Sequence, residues 1–232
     1  MAPFKPTPDQ ASNLDKCVQR FMDERPVLDF FRKNLLNLTE LPRLSPLVHS
    51  TKSRLKDPDH LRAKLLRKLE LAGPDGAAFD ITPDNLFQKI TDLVGIRIIH
   101  LYAIQFEDMA KTLGELLLEH KFPVIEGPEA RVWDDEYRAF FEGIGIKTKK
   151  SNERMYTSVH YVVGLNAKTQ LTGEIQVRTL AEELWGEVDH TINYPNPSES
   201  LACREQIRVL ARLTSGCTRL ADSIFRTHRD ES

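Results

Sequence analysis

The segment Met155–Gly164 reads M-Y-T-S-V-H-Y-V-V-G, and Thr172–Thr179 reads T-G-E-I-Q-V-R-T. Both alternate with a period of two, the signature of a strand with one apolar and one polar face. The first strand is expected over Tyr156 to Leu165 and the second over Glu174 to Arg178. A short polar connection between them predicts a hairpin. Alternation sets Ser158 and His160 on one face, with Val159 and Tyr161 opposite. Glu174, Gln176 and Arg178 then share a face, and Ile175 and Val177 take the other. If the turn centres near residue 168, His160 and Glu174 lie nearly opposite each other. A solvated outer face is the plain alternative. These polar types are specific in charge and hydrogen bonding, however, and suit a site for phosphates and a metal.

Working outward, Val94 to Leu101 is an Ile-rich strand of the buried type, and Phe122 to Glu126 reads as another. Phe106, Met109, Leu113, Leu116 and Leu117 mark an amphipathic helix between them. Asp134 to Lys150 is expected to hold a short helix and then a basic, mobile loop. Upstream, Thr7-Pro8-Asp9-Gln10 carries the elements of a capping box, with Pro26 expected to break or kink the helix it starts. Asp57-Pro58 starts a second helix, which Gly73-Pro74-Asp75-Gly76 ends. Thr179 with Glu182 resembles another capping box. Asn196-Pro197-Ser198-Glu199 is expected to open the last helix, whose Ile207, Leu210, Leu213, Cys217, Leu220 and Ile224 keep a seam near 3.5 residues per turn. The fold class expected is α+β, with a mixed sheet of about four or five strands flanked by helices. One domain is expected across 1–232: N-terminal helices to residue 49, a core over 50–195 and a C-terminal helix over 196–232.

With 28% charged and 41% apolar residues the chain has the composition of an ordinary soluble globular protein. A net charge of -2 excludes polyanion binding by bulk charge, so any basic site is local. Cys17, Cys203 and Cys217 are far apart and lack metal-ligand spacing, which predicts a reduced, cytoplasmic protein. No apolar run approaches a membrane span, and no signal-peptide core is evident.

Further chemistry-bearing residues lie outside the hairpin. Asp92, in D-L-V-G-I-R-I-I, is either a cap or turn residue or, beside Glu174, one of two hard oxygen ligands; magnesium commonly takes one or two carboxylates plus substrate phosphates. Arg97 sits within a buried strand, where a guanidinium needs a partner or a ligand. Lys52, Arg54, Lys56, Arg62, Lys64, Arg67 and Lys68 gather around one helix start, whose free amides also attract phosphate. Lys56 and Lys64 would supply point charges there, and Arg54 a stacking plane; a solvated helix face is the alternative. Glu183, Glu187 and His190 share a helix face at a spacing that metal ligation can use, although such surface sets are common. The sequence has no Walker-type loop, dinucleotide fingerprint or nucleophile elbow.

Four blocks in order, R-L-K at 54–56 with Lys64 downstream, D-L-V-G-I-R at 92–97, Y-T-S-V-H at 156–160 and E-I-Q-V-R-T at 174–179, resemble the synthetase domain of RelA/SpoT-type alarmone synthetases, in particular the short members. The likeness runs from about residue 50 to 195. It implies magnesium-dependent transfer of the β,γ-pyrophosphate of ATP to the ribose 3′-hydroxyl of GDP or GTP. It further implies that Arg54 and Arg97 sandwich the adenine and that Lys56 and Lys64 hold the ATP phosphates. Asp92 and Glu174 become the magnesium carboxylates, Tyr156 stacks on the acceptor base, and His160 lies near the acceptor phosphates. Ser158, Gln176 and Arg178 fall in the same acceptor-side motifs. The sequence departs from the family pattern at His60, at Met155 where a glycine is usual, and at K-T-K-K-S-N-E-R, 147–154, which borders the acceptor. The acceptor is therefore open between guanosine nucleotides, adenine nucleotides and the 3′ end of tRNA, which toxic short members modify; an antitoxin partner remains open with it. A noncatalytic nucleotide- or RNA-binding module is the reading from a different class. The C-terminal seam raises a homo-oligomer as a further expectation.

Overall fold

The computed structural model describes residues 4–73, 79–151, 155–193 and 197–231. Helix α1 (Pro8–Leu38) starts at a closed capping box. Thr7 Oγ1 accepts from the Gln10 amide at 3.3 Å, and Gln10 Oε1 accepts from the Thr7 amide at 2.9 Å. Pro26 does not end this helix, so of the break or kink expected the break does not occur. A proline inside a helix costs about 3 kcal/mol. The stripe Leu14, Cys17 and Phe21 before it, and Leu28, Phe31 and Leu35 after it, is fully or almost fully buried. At roughly 1.5–3 kcal/mol per large apolar side chain, that burial outweighs the lost hydrogen bond.

Strand β1 (Ser50–Leu55) leads into α2 (Pro58–Leu71), which ends before Gly73; Pro74, Asp75 and Gly76 lie outside the described residues. The short α3 (Leu86–Lys89), β2 (Val94–His100) and α4 (Phe106–Glu119) follow. Then come β3 (Val124–Val132), α5 (Asp135–Gly143) and β4 (Lys147–Lys150). The hairpin strands are β5 (Ser158–Gly164) and β6 (Thr172–Thr179), followed by α6 (Leu180–Asn193) and α7 (Leu201–Asp230).

The six strands form one mixed sheet in the order β1-β2-β6-β5-β3-β4. Strands β2 and β6 are parallel, as are β3 and β4, and the other neighbours are antiparallel. The two strands not expected from the sequence, β1 and β4, are the edges. S-T-K-S-R-L and K-T-K-K have no apolar alternation because an edge strand is held largely by backbone pairing, and charge there guards against association. The basic stretch expected as a mobile loop is therefore paired from Lys147 to Lys150 against Glu129–Val132, while residues 152–154 lie outside the described residues. Strand β3 also runs six residues beyond the expected end at Glu126.

One sheet face is apolar. Ile96, Ile98, Val159, Tyr161, Ile175 and Val177 are buried in the same core as the α1 stripe and Phe106, Met109 and Leu113 of α4. The hairpin register centres on residue 168: His160 pairs with Gln176, so Glu174 sits one diagonal step away. Gly127 adopts φ +88°, and a Cβ there would stand 2.4 Å from the His160 carbonyl oxygen. This glycine permits the irregular register through which β3 reaches β5.

The last two helices differ in detail from expectation. Thr179 caps α6 by accepting the Glu182 amide at 3.2 Å, but the Glu182 carboxyl turns to the Thr157 amide and leaves the box open. Helix α7 begins at Leu201 with Ser200 as its cap, not at the Asn196 segment; Asn196 itself lies outside the described residues. Of its expected seam Ile207 is buried, whereas Leu213, Leu220 and Ile224 are 61%, 64% and 58% exposed. The buried face carries Ala211, Thr214, Ser215, Thr218 and Asp222. Polar contacts select it: Asp222 accepts the Ile104 amide at 2.9 Å and the Tyr137 hydroxyl at 3.3 Å, and Ser215 donates to Asp134 at 3.2 Å. Among the described residues no helix is long and apolar enough to cross a membrane.

Phe30 and Phe31 are adjacent, one 61% exposed and the other fully buried. Phe31→Ala is expected to cost about 3–5 kcal/mol and Phe30→Ala no more than about 0.5 kcal/mol in urea denaturation.

Candidate active site

The opposite sheet face is polar across its whole width. Lys52 pairs with Arg97, Arg97 with Gln176, Gln176 with His160, His160 with Glu129, and Glu129 with Lys147. This single row of cross-strand partners crosses all six strands. A cleft of about 800 Å³ opens over it, walled by α2, α6 and the segment at Tyr156. Period-two alternation in the strands is what brings these distant residues together.

At one end, Asp92 lies two residues before β2. Its two carboxylate oxygens accept from Lys56 Nζ at 2.8 Å and Lys64 Nζ at 2.7 Å. Burial alone would raise this carboxyl, but the two ammonium groups outweigh it and hold it at about 2. Burial also draws Lys56 below its usual value, despite the neighbouring carboxylate. Arg54 lies across from Gly95, with its side chain passing over that glycine beside Arg97. The N-terminus of α2 is not an open anion site: Asp57 accepts the Asp59 amide at 2.9 Å and the His60 amide at 3.2 Å.

The centre of the cleft holds Glu174. Its Oε1 accepts from His160 Nδ1 at 2.8 Å, and its Oε2 from Gln176 Nε2 at 2.8 Å. Burial works to raise this carboxyl, His160 and Gln176 lower it, Asp92 raises it, and the net direction is down. It is therefore ionised and fixed in orientation. His160 Nδ1 donates, since a carboxylate oxygen only accepts, and its Nε2 is buried without a partner. The two carboxylates, Asp92 and Glu174, line one cleft and repel each other, which suits a divalent cation between them. The described residues contain no cluster of three or more His, Cys, Asp or Glu placed for metal, so a cation here would draw further ligands from phosphates or water, as magnesium does.

At the acceptor end expected from the sequence, the Tyr156 ring lies parallel to Trp185 at 6.1 Å between centroids and edge-on to His160 at 6.5 Å. Ser158 is set apart from this group. It is buried, its hydroxyl donates to the Val177 carbonyl at 3.4 Å, and it lines a small internal cavity, not the main cleft.

Two features were not read from the sequence. Arg131 of β3 lines the cleft, and its guanidinium lies 3.5 Å from the Tyr156 hydroxyl. The buried neighbours Ala130 and Val132 are the signal for it, since they extend alternation past Glu126. The second is the use made of Glu183. This buried carboxylate meets Arg97 at 2.9 Å, Lys52 at 2.8 Å and Arg178 at 2.9 Å. Glu187 meets Arg97 at 2.8 Å and Lys52 at 3.2 Å, so these two acids anchor cations and do not form a metal set with His190. Gly186 completes the niche for Arg178: a Cβ there would stand 2.4 Å from Arg178 Nη1.

The family model described as "Region found in RelA / SpoT proteins" matches residues 53–199, more than half of the chain. The chain belongs to this family. GTP pyrophosphokinase YwaC of Bacillus subtilis (strain 168) is 25% identical over 155 residues, covering 65% of this chain and 60% of that relative. The match thus spans less than two thirds of the relative's length. The small alarmone synthetase 1 from Bacillus subtilis superposes with a TM-score of 0.60 at 19% identity, over 94% of this chain and 100% of the other. The same protein bound to its product pppGpp gives 0.57 at 19% identity, over 90% and 94%. At these identities the structural likeness establishes the fold, and the matched RelA/SpoT region spans the cleft residues from Arg54 to Arg178.

Glu183→Ala would leave Arg178, 8% exposed, without its counter-charge. The expected loss is about 3–5 kcal/mol of folding stability, read by denaturant unfolding. Loss below about 1 kcal/mol would contradict this account of the anchor.

Proposed function

We propose that this protein transfers the β,γ-pyrophosphate of ATP to the ribose 3′-hydroxyl of GDP or GTP, with magnesium. The observation that carries the reading is the pairing, in one cleft, of a fixed carboxylate with a lysine-held one: Glu174 between His160 and Gln176, and Asp92 between Lys56 and Lys64. Membership of the RelA/SpoT family, similarity to a GTP pyrophosphokinase and the fold shared with a pppGpp-bound synthetase support the chemistry.

In this reading Arg54 and Arg97 receive the adenine. Anchoring by Glu183 and Glu187 holds Arg97 in place before ATP arrives. Lys56 and Lys64 exchange Asp92 for the ATP phosphates, which frees Asp92 to join Glu174 in holding magnesium. The metal, when bound, neutralises phosphate charge. Tyr156 stacks on the acceptor base, and Arg131 with the unpartnered face of His160 borders the acceptor phosphates. The 3′-hydroxyl attacks the β-phosphorus and gives up its proton to solvent, the bond from that phosphorus to the α,β-bridging oxygen breaks, and AMP leaves. Little covalent help is needed; placement and charge stabilisation supply the rate. The lowered acidity range of Glu174 favours orientation and charge over a strong-base role for it.

The exposed lysines of the β4 edge, Lys147, Lys149 and Lys150, favour one second reading, in which the acceptor is a tRNA 3′ end and the edge takes the following phosphates. We also propose a cytoplasmic setting, in keeping with three unpaired cysteines. Self-association through α7 is proposed from Leu213, Cys217, Leu220 and Ile224, whose spacing of four, three and four matches the same stripe on a second copy. A monomeric mass at micromolar concentration would exclude it.

With γ-labelled ATP and a choice of GDP, GTP, AMP, ADP or deacylated tRNA, label is expected on the guanosine nucleotides. Label on tRNA alone would overturn this acceptor, and no transfer despite ATP binding would leave a binding module. Glu174→Gln should retain ATP binding and lose transfer by at least about 10²-fold. Tyr156→Ala should raise the acceptor KM about tenfold, the size of one base–aromatic stack, with the ATP KM little changed.

A further inference from the structure

We infer that Glu182 is a positioning residue that seats Tyr156 for the acceptor through the Thr157 backbone. The inference rests on the proposed acceptor role of Tyr156. Glu182 lies in the first turn of α6 and is 3% exposed. Its Oε2 accepts the Thr157 amide, the peptide that follows Tyr156, at 3.1 Å. Its own amide is fixed on Thr179 Oγ1 at 3.2 Å, so the carboxyl is held from both the helix and the end of β6. The segment from Met155 to Thr157 has no strand pairing of its own. Among the described hydrogen bonds of that segment's backbone to side chains, the one to Glu182 is the buried long-range tie.

Two atoms next to this bond are buried without partners: Glu182 Oε1 and Thr157 Oγ1. Both residues line an internal cavity of about 20 Å³, room for about one water. Burial also pushes the Glu182 carboxyl up to about 7. A water in the cavity, donating to Glu182 Oε1 and accepting from Thr157 Oγ1, would satisfy both orphans and leave Oε2 on Thr157. An apolar residue would avoid the cost of burying a carboxyl, so its presence here calls for a use. The neighbouring residue supplies the context: Glu183 anchors Arg97 and Arg178. Consecutive residues of one helical turn thus fix the acceptor tyrosine's backbone and the donor arginine. Tyr156 is further packed against the small apolar cluster that Trp185 of α6 forms with Ile207 and Ala211 of α7, so this cluster backs the residue while Glu182 fixes its chain.

Glu182→Leu removes the acceptor for the Thr157 amide. Glu182→Gln keeps a carbonyl oxygen for it and offers an amide to the cavity. Steady-state constants for ATP and for the acceptor the wild type uses, together with hydrogen exchange at the Thr157 amide, test the proposal. Glu182→Leu should raise the acceptor KM about tenfold, leave the ATP KM within about twofold, and speed Thr157 exchange; Glu182→Gln should return all three close to wild type. If Glu182→Leu does not fold, Glu182→Asp, one methylene too short to reach Thr157, should give the same split. Unchanged constants with unchanged exchange would overturn the proposal, as would equal rises in both KM values that Glu182→Gln fails to rescue. A wild type that uses no acceptor defeats the functional reading instead; Thr157 exchange then decides the seating alone, faster in Glu182→Leu and restored in Glu182→Gln if Glu182 holds that amide, and overturning it if all three proteins agree.

Discussion

Glu183 is the interaction on which the site's architecture depends. It is a buried acid that meets cations from β1, β2 and β6 at once. Three positive side chains on adjacent strands would repel one another, and Arg178 is too buried to be relieved by solvent. Breaking such a set leaves charge stranded in low dielectric, which costs more than the intact set gains. The sheet's polar face can therefore exist in this form only with α6 laid against it. Gly186, one helical turn later, is the steric counterpart, since a side chain there would enter the Arg178 niche.

The cleft divides into two electrostatic regions with Glu174 between them. On one side Lys56 and Lys64 saturate Asp92, so these cations are paired. On the other side the groups are less paired: His160 Nε2 has no partner, and Arg131 only approaches the Tyr156 hydroxyl. Glu174 faces both, drawn down by His160 and Gln176 and pushed up by Asp92. A site of this type does its work by placing charges that are already oriented.

Much of this was legible because strands and capped helices write their periodicity into sequence. Alternation in β5 and β6 put His160, Glu174, Gln176 and Arg178 on one face, and the Thr7 and Asp57 caps located α1 and α2. The edge strands were not legible, since K-T-K-K and S-T-K-S-R-L are held by backbone pairing and bury almost nothing. Pro26 does not break α1 because a local preference of a few kcal/mol yields to an apolar stripe buried on both sides of it. Ser158 shared the predicted face pattern yet turned its hydroxyl to a backbone carbonyl, and α7 buried its small polar residues in place of its leucines. Each departure is a case in which a long-range contact outcompeted a local rule.

By itself the sequence determined the α+β class, the hairpin and, Ser158 apart, the residues that face its polar side, because period and capping are local properties of the chain. Only the tertiary structure decided which partners those residues meet. Asp92 is held by two lysines, Glu174 by His160 and Gln176, and Arg97 by Glu183 and Glu187, although 86 and 90 residues separate Arg97 from its two acids. Spacing along the chain carries no information about such pairs; the β2–β6 register and the packing of α6 create them.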